Sequence, residues 1–206
     1  MYTINNKDKV LESAFRLSLK YGFDNVSIKQ IQDGANVSAG TIYYYFNDKD
    51  DILVNMLNKY LKDEVKKFDK NIRNYEGSFP EKLKFIFYHN AGVELNNKTH
   101  GIRLSDSNVI NHEEFNLFMM STYHKHLEVR PVFHEINKMT LRTYTDIVDE
   151  FKQKNEIRDD IDSEDIALYI FTVISGFLQL WISSPHISIE KLVDTNVKMI
   201  CESIVK

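Results

Sequence analysis

Residues 37–46 read Val37-Ser38-Ala39-Gly40-Thr41-Ile42-Tyr43-Tyr44-Tyr45-Phe46, and Lys49 follows three positions later. Ser38, Ala39 and Gly40 make a small-residue turn that opens a short helix. That helix presents a hydroxyl, on Thr41, and phenols, on Tyr43 and Tyr44, along its outer face. Small residues let a helix end come close to DNA, and tyrosine hydroxyls donate to phosphate oxygens. These are the requirements of the reading helix of a helix-turn-helix.

The flanking residues agree. From Lys7 to Tyr21, apolar side chains fall at Val10, Leu11, Ala14, Phe15 and Ser18/Leu19, near the i, i+3, i+4, i+7 repeat of an amphipathic helix. Gly22 stands where that helix should stop. Ser27 is placed to cap a second helix, Ile28 to Ala35, by accepting an otherwise unpaired backbone N–H. Asn36-Val37-Ser38 is the tight turn, since Asn tolerates left-handed backbone. Ile31 and Val37 close a small core between the two helices. A fourth, longer helix begins at Lys49, with Asn47 or Asp48 as its cap.

Taken together, residues Ser27, Ile31, Ala35, Val37, Ser38, Gly40, Thr41, Ile42, Tyr43, Tyr45, Phe46, Lys49, Asp50 and Leu53 match at fixed spacing the DNA-binding domain of TetR/AcrR transcriptional regulators, which this part of the chain resembles. The close resemblance covers about a quarter of the chain; the rest is similar in length and helical character. Three positions depart from the pattern. Gln32 replaces a small residue, Gly34 lies inside the second helix, and Asn36 replaces the usual turn glycine. Glycine inside a helix costs up to about 1 kcal/mol against alanine, so a somewhat loose second helix is expected.

The resemblance implies an all-α fold in two domains: a three-helix DNA-binding domain over residues 1–48, and a larger helical ligand-binding and dimerisation domain over 49–206. The linking helix, 49–75, packs its start on the first domain. It implies a homodimeric repressor of the cytoplasm that binds double-stranded DNA at a palindromic operator and is released by a small-molecule effector. In that reading Ser38, Ala39, Thr41 and Tyr44 contact bases or phosphates, while Ser27, Lys29, Tyr43 and Lys49 anchor the DNA backbone. The helix has no Arg or Gln for bidentate base readout, so DNA shape carries part of the specificity.

Charge sets a limit on this. The chain has 206 residues and a net charge of −4. Residues 1–50 hold six cations (Lys7, Lys9, Arg16, Lys20, Lys29, Lys49) and six anions (Asp8, Glu12, Asp24, Asp33, Asp48, Asp50). A neutral module does not bind DNA indiscriminately, because phosphate neutralisation supplies most non-specific affinity. The alternative reading is a dimeric small-molecule-binding protein whose DNA binding is weak or lost.

The remainder reads as further helices. Pro131 should divide one of them near Val129. Ile166 to Ile182 carries no charge and reads as a buried central helix of a protein outside the membrane. Ser188 caps a last helix with Ile189, Leu192, Val193, Val197, Ile200 and Ile204 on one side. The last two helices hold more apolar surface than one small domain buries, which the resemblance assigns to a dimeric four-helix bundle. The one cysteine, Cys201, excludes an internal disulfide and reads as an inert core thiol.

No cofactor or metal is expected, and no catalytic residue. There is no Gly-rich phosphate loop or nucleophile elbow. His124 and His126 are two apart and point to different sides of a helix, and His112-Glu113-Glu114 lacks the spacing of a helical zinc motif. The effector's wall is read as Tyr88, His89, Arg103, Phe118, Met119, Tyr123, Tyr144, Phe177 and Trp181, a set suited to a flat or greasy molecule. Aromatic stripes of this kind also read as plain core.

Overall fold

The computed structural model describes residues 5–93 and 110–206. Nine α-helices lie among the described residues: α1 (Asn6–Tyr21), α2 (Ile28–Ala35), α3 (Ala39–Tyr45), α4 (Lys49–Arg73), α5 (Phe79–Ala91), α6 (His112–Lys125), α7 (Arg130–Gln153), α8 (Ser163–Ser183) and α9 (Ile189–Ile204). Short 3-10 turns at Phe23–Asn25 and Leu127–Val129 join them, and the β-pairing described is a single bridge between Ile157 and Val205. Arg103, read as part of the effector's wall, lies outside the described residues.

The ends of the helices follow from their caps. Asn5 accepts from the Asp8 amide to start α1, and Gly22 ends it with a positive φ of 77°. At the start of α2, Ser27 Oγ accepts from the Gln30 amide while Gln30 Oε1 accepts from the Ser27 amide. Asp48 Oδ1 takes the Asp51 amide at 2.7 Å and opens α4. Glu81 Oε2 accepts from both the Ser78 amide and its hydroxyl at the head of α5, which Gly92 ends in the left-handed region. Division of the long helix at Pro131 is found: α6 ends at Lys125, and α7 restarts with Pro131 in its first turn, where a missing N–H costs nothing.

By packing, the chain falls into two units. The first contains described residues 5–64 and 110–136, and the second 65–93 and 137–206. The division between the units falls inside α4 and α7. In the first unit, Ile52, Leu53, Met56 and Leu57 of α4 are fully buried in the same core as Val10, Ala14, Phe15, Ile31 and Ile42. Phe118 of α6 joins that core and meets Phe15 edge-on at 6.2 Å. The second unit centres on Phe68, Phe87, Tyr144, Phe151, Ile170 and Ile200. Lys82 is almost wholly buried there, and Glu150 Oε2 receives its ammonium at 2.9 Å.

Two expectations change. The α8 stretch is not a buried central helix: 28% of its most apolar window is buried, and Leu168, Tyr169 and Leu180 are exposed. Nor is α2 loosened by Gly34. A Cβ at Gly34 would lie 2.4 Å from Ser13 Oγ, and Ser13 Oγ itself donates to the Ile31 carbonyl at 2.9 Å. The glycine is what lets α2 lie close on α1, and the helix propensity it gives up is exchanged for that contact. Asn36 takes the left-handed conformation, φ 52° and ψ 52°, that a turn glycine would supply. Burial raises the Cys201 thiol above its ordinary value and so disfavours the reactive thiolate.

Gly34→Ala should destabilise the protein by about 1–3 kcal/mol, as overpacking does. In a Ser13→Ala background the new methyl meets Ser13 Cβ at 3.5 Å, an ordinary contact. Urea denaturation of both single variants and the double should give a double less destabilised than their sum; strict additivity would refute this account of Gly34.

Candidate nucleic-acid interface

Between α2 and α3 the backbone turns over Asn36-Val37-Ser38. Ser38 Oγ accepts from the Thr41 amide at 3.1 Å and lies 2.8 Å from Thr41 Oγ1. The cap therefore also fixes the rotamer of the Thr41 hydroxyl. The buried side of α3 is Ile42, with Phe46 just beyond it, at 1% and 2% exposure. Ala39, Gly40, Tyr43 and Tyr44 of the same helix are all exposed, with Tyr44 81% accessible. Gly40 has no packing requirement, since a Cβ there would meet only Ser38 Oγ, at 3.8 Å. Tyr44 and Tyr45 stand edge to face at 4.8 Å, which stiffens the exposed ring.

Of the predicted backbone anchors, Ser27 is exposed but committed to its cap, and Lys29 is exposed and pairs with Asp33 at 2.6 Å. An exposed pair of this kind contributes at most about 1 kcal/mol, so the Lys29 ammonium is easily transferred to a phosphate. Lys49 departs from expectation. Its ammonium donates to the Phe23 carbonyl at 2.7 Å and to the Asp24 carbonyl at 3.3 Å, 4.4 Å from the Phe23 ring centroid. It ties the first turn of α4 to the Phe23–Asn25 turn.

Asp24, which sequence reasoning passed over, is the hub on the far side of that turn. Lys125 Nζ lies 3.0 Å from Asp24 Oδ2, and His126 Nε2 lies 3.0 Å from Asp24 Oδ1. The Lys125 hydrogen bond, helped by His126 and opposed by partial burial, holds the Asp24 carboxyl below its usual range. A lowered carboxyl contributes stability above its unfolded pKa and loses it as pH falls through the folded value, so this tie is intact at neutral pH. Its members are about a hundred residues apart, beyond any local pattern. An open cleft of about 270 Å³ runs beside it, lined by Ser18, Leu19, Gly22, Phe23, Asp24, Asn25, Glu114, Leu117, Phe118, Ser121, Thr122, Lys125 and His126.

The residues read as an effector wall divide between the cores of the two units. Tyr88, His89, Tyr144, Phe177 and Trp181 belong to the core of the second unit, where Tyr144 and Phe177 are 1% and 3% exposed and His89 packs 4.8 Å from Phe68. Phe118 and Met119 pack in the first unit, and Tyr123 stands edge-on to Phe133 at 5.2 Å. Of the set, Phe118 alone lines the 270 Å³ cleft.

Residues 10–56 match the family model described as bacterial regulatory proteins, tetR family. Over these residues the chain carries the DNA-binding domain of a TetR-family transcriptional regulator. Over 86% of its length it is 23% identical to the fatty acid metabolism regulator protein of Bacillus subtilis, covering 84% of that protein. It is 26% identical, over 39% of its length and 45% of the relative's, to the biofilm operon negative transcriptional regulator IcaR of Staphylococcus epidermidis. Its fold matches the crystal structure of the transcriptional regulator FadR from Bacillus subtilis in complex with stearoyl-CoA, with a TM-score of 0.66 and 21% identity over 94% of this chain and 95% of the other. These relatives are named as regulators and not as enzymes. Within the matched segment, α2 and α3 are the helix-turn-helix.

Two lysines separate phosphate contact from internal support. Lys29→Ala should lower the steepness of the log affinity–log salt plot by about 1 per subunit, with stability unchanged. Lys49→Met should lower thermal stability and leave that slope alone. Fluorescence anisotropy across a salt series, with melting curves, checks both; a slope change in Lys49→Met as large as that in Lys29→Ala would reassign Lys49 to the phosphates. Tyr43→Ala should weaken all sequences alike, whereas Thr41→Ala should also relax base preference.

Proposed function

We propose that the protein is a homodimeric repressor of the cytoplasm that seats two α3 helices in successive major grooves of a palindromic operator and leaves it when a small molecule binds. The observation that carries the reading is the exposed face of α3, where Ala39, Gly40, Tyr43 and Tyr44 stand clear on a helix whose other side is anchored by Ile42. Ser38 and Thr41 belong to that surface; Ser27 and Lys29 flank it on α2. A neutral module limits non-specific affinity, so two linked copies are needed to hold a site.

Dimerisation is supported by α8 and α9. Leu168 (52%), Leu180 (41%) and Met199 (54%) are exposed apolar side chains on these two helices. A Cβ at Gly176 would meet nothing within 4 Å, leaving room for a second helix to cross closely. Although α8 is long and apolar enough for a membrane by length and composition, its first half also packs Ile166, Ala167, Ile170 and Ile174 into a protein core. A second copy of α8 and α9 is the cover that accounts for both faces.

Repression is the sign carried by the name of the Staphylococcus epidermidis relative, and a long acyl-CoA is the effector class first suggested by the FadR complex. The aromatic and aliphatic core of the second unit, with His89 and Tyr144 as its polar members, suits an acyl chain. Effector binding acts on DNA affinity only by favouring the form that does not fit the operator. The covalent route between the two units includes α4.

Leu168→Asp combined with Met199→Asp should convert the dimer to a folded monomer by light scattering and abolish operator binding; a dimer surviving both changes would refute this interface. Titration of the full-length protein onto DNA upstream of its own gene, against scrambled competitor, should show two subunits per site and release by micromolar stearoyl-CoA but not by CoA. Binding no better than to scrambled DNA would favour the DNA-independent alternative.

A further inference from the structure

Asp50, in the first turn of α4, meets His126 and Glu128 across the first unit: one ligand atom from each of the three lies within 4.8 Å of the others. From this juxtaposition we propose a divalent transition-metal site, of the Zn²⁺ class, held by His126 Nδ1 and the carboxylates of Asp50 and Glu128.

The His126 ring is already oriented for the task. Its Nε2 faces Asp24 Oδ1 at 3.0 Å, and its Nδ1 faces Glu128 Oε1 at 2.9 Å. An Nε2–H donated to Asp24 leaves the Nδ1 lone pair for a cation, the carboxylate–histidine–metal arrangement that fixes a ligand's tautomer. The ring is further held edge-on to Phe23 at 5.5 Å, and its side chain is 15% exposed. Imidazole nitrogen with carboxylate oxygen suits Zn²⁺ and its neighbours in the first transition row, and three protein ligands leave a position for water.

Ligand bonds of about 2.0–2.2 Å put donors no more than about 4.4 Å apart. In a tetrahedral site the donors stand about 3.3–3.6 Å apart, so atoms now within 4.8 Å of one another close by up to about an ångström or slightly more, which exposed carboxylates do readily. A cation on Nδ1 would replace the Nδ1–Glu128 contact and leave the Nε2–Asp24 contact in place. Charge favours it: Asp24, Asp50 and Glu128 surround the ring, against Lys125 on the outer oxygen of Asp24 and Lys49 held at the Phe23 and Asp24 carbonyls. Asp24 and His126 also line the open cleft, which gives an ion a route in. Bound there, it cross-links the first turn of α4 to residues 126–128.

A sequence reading that seeks ligands at fixed spacing cannot find this site. One ligand is 76 residues from the next (50 to 126), and His124, its nearest histidine neighbour, takes no part.

The test uses chelator-stripped full-length protein, titrated with Zn²⁺ by calorimetry and with Co²⁺ by visible absorption. One ion per subunit is expected, with a rise in melting temperature. His126→Gln and Asp50→Asn should each weaken binding at least about tenfold and remove the thermal shift, Asp24→Ala should weaken it about 10–100-fold, and His124→Gln should behave as wild type. Asp50 is exposed, so its variant tests the site even if His126→Gln is poorly folded. Absence of stoichiometric binding, or affinity equal to wild type in Asp50→Asn, would overturn the proposal and leave His126 as a hydrogen-bond partner of Asp24 and Glu128.

Discussion

Helix α2 can present α3 only because it lies so near α1 that no side chain fits between them at Gly34. Ser13 donates to the Ile31 carbonyl across that approach, and the space a Cβ would need is taken by the Ser13 hydroxyl. Everything on the DNA-facing side follows from it. With α2 fixed, Asn36 turns the chain in a left-handed conformation, Ser38 caps α3, and Ile42 and Phe46 drop into the core shared with α4. A helix this short has little stability of its own. Its position is set by two buried side chains and one cap, which leaves its other face free for recognition.

Charge is arranged to support the module rather than to coat it. Lys49 serves backbone carbonyls, Lys59 pairs with Asp8, and Arg16 pairs with Glu12. Among the cations considered for DNA, Lys29 is the one held only by an exposed partner. In the proposed dimer, a module built this way would depend on α3, helix N-termini and the doubling of weak contacts more than on phosphate attraction. Asp24, with Lys125 and His126, then joins the Phe23–Asn25 turn to the end of α6, so residues far along the chain brace the DNA-binding helices.

Local signals were fully legible. Ser27 and Ser188 cap the helices expected of them, Asp48 is the one of its two candidates that opens α4, and Asn36 makes the expected turn, because caps and turns need only their neighbours; α2 has the expected bounds. What lay beyond local reach was anything set by packing. Gly34 looked like a weakness because helix propensity was visible and its neighbour on α1 was not. Lys49 looked like a phosphate anchor because the carbonyls it serves lie more than twenty residues away. The aromatic residues grouped as an effector wall share helical spacing but divide between two cores, Phe118 with α1 and Tyr144 with α5 and α8. For α8, an uncharged run reads alike whether its cover is its own core or a second molecule.

The central claim, that α3 reads a two-fold symmetric site, is tested most directly by selecting duplexes from a random library with the full-length protein and footprinting the winners. The account predicts an inverted repeat with two protected major-groove segments about one helical turn of DNA or more apart, and loss of the enriched motif with Thr41→Ala. No enrichment over the starting library, or a motif unaltered by changes across α3, would contradict it.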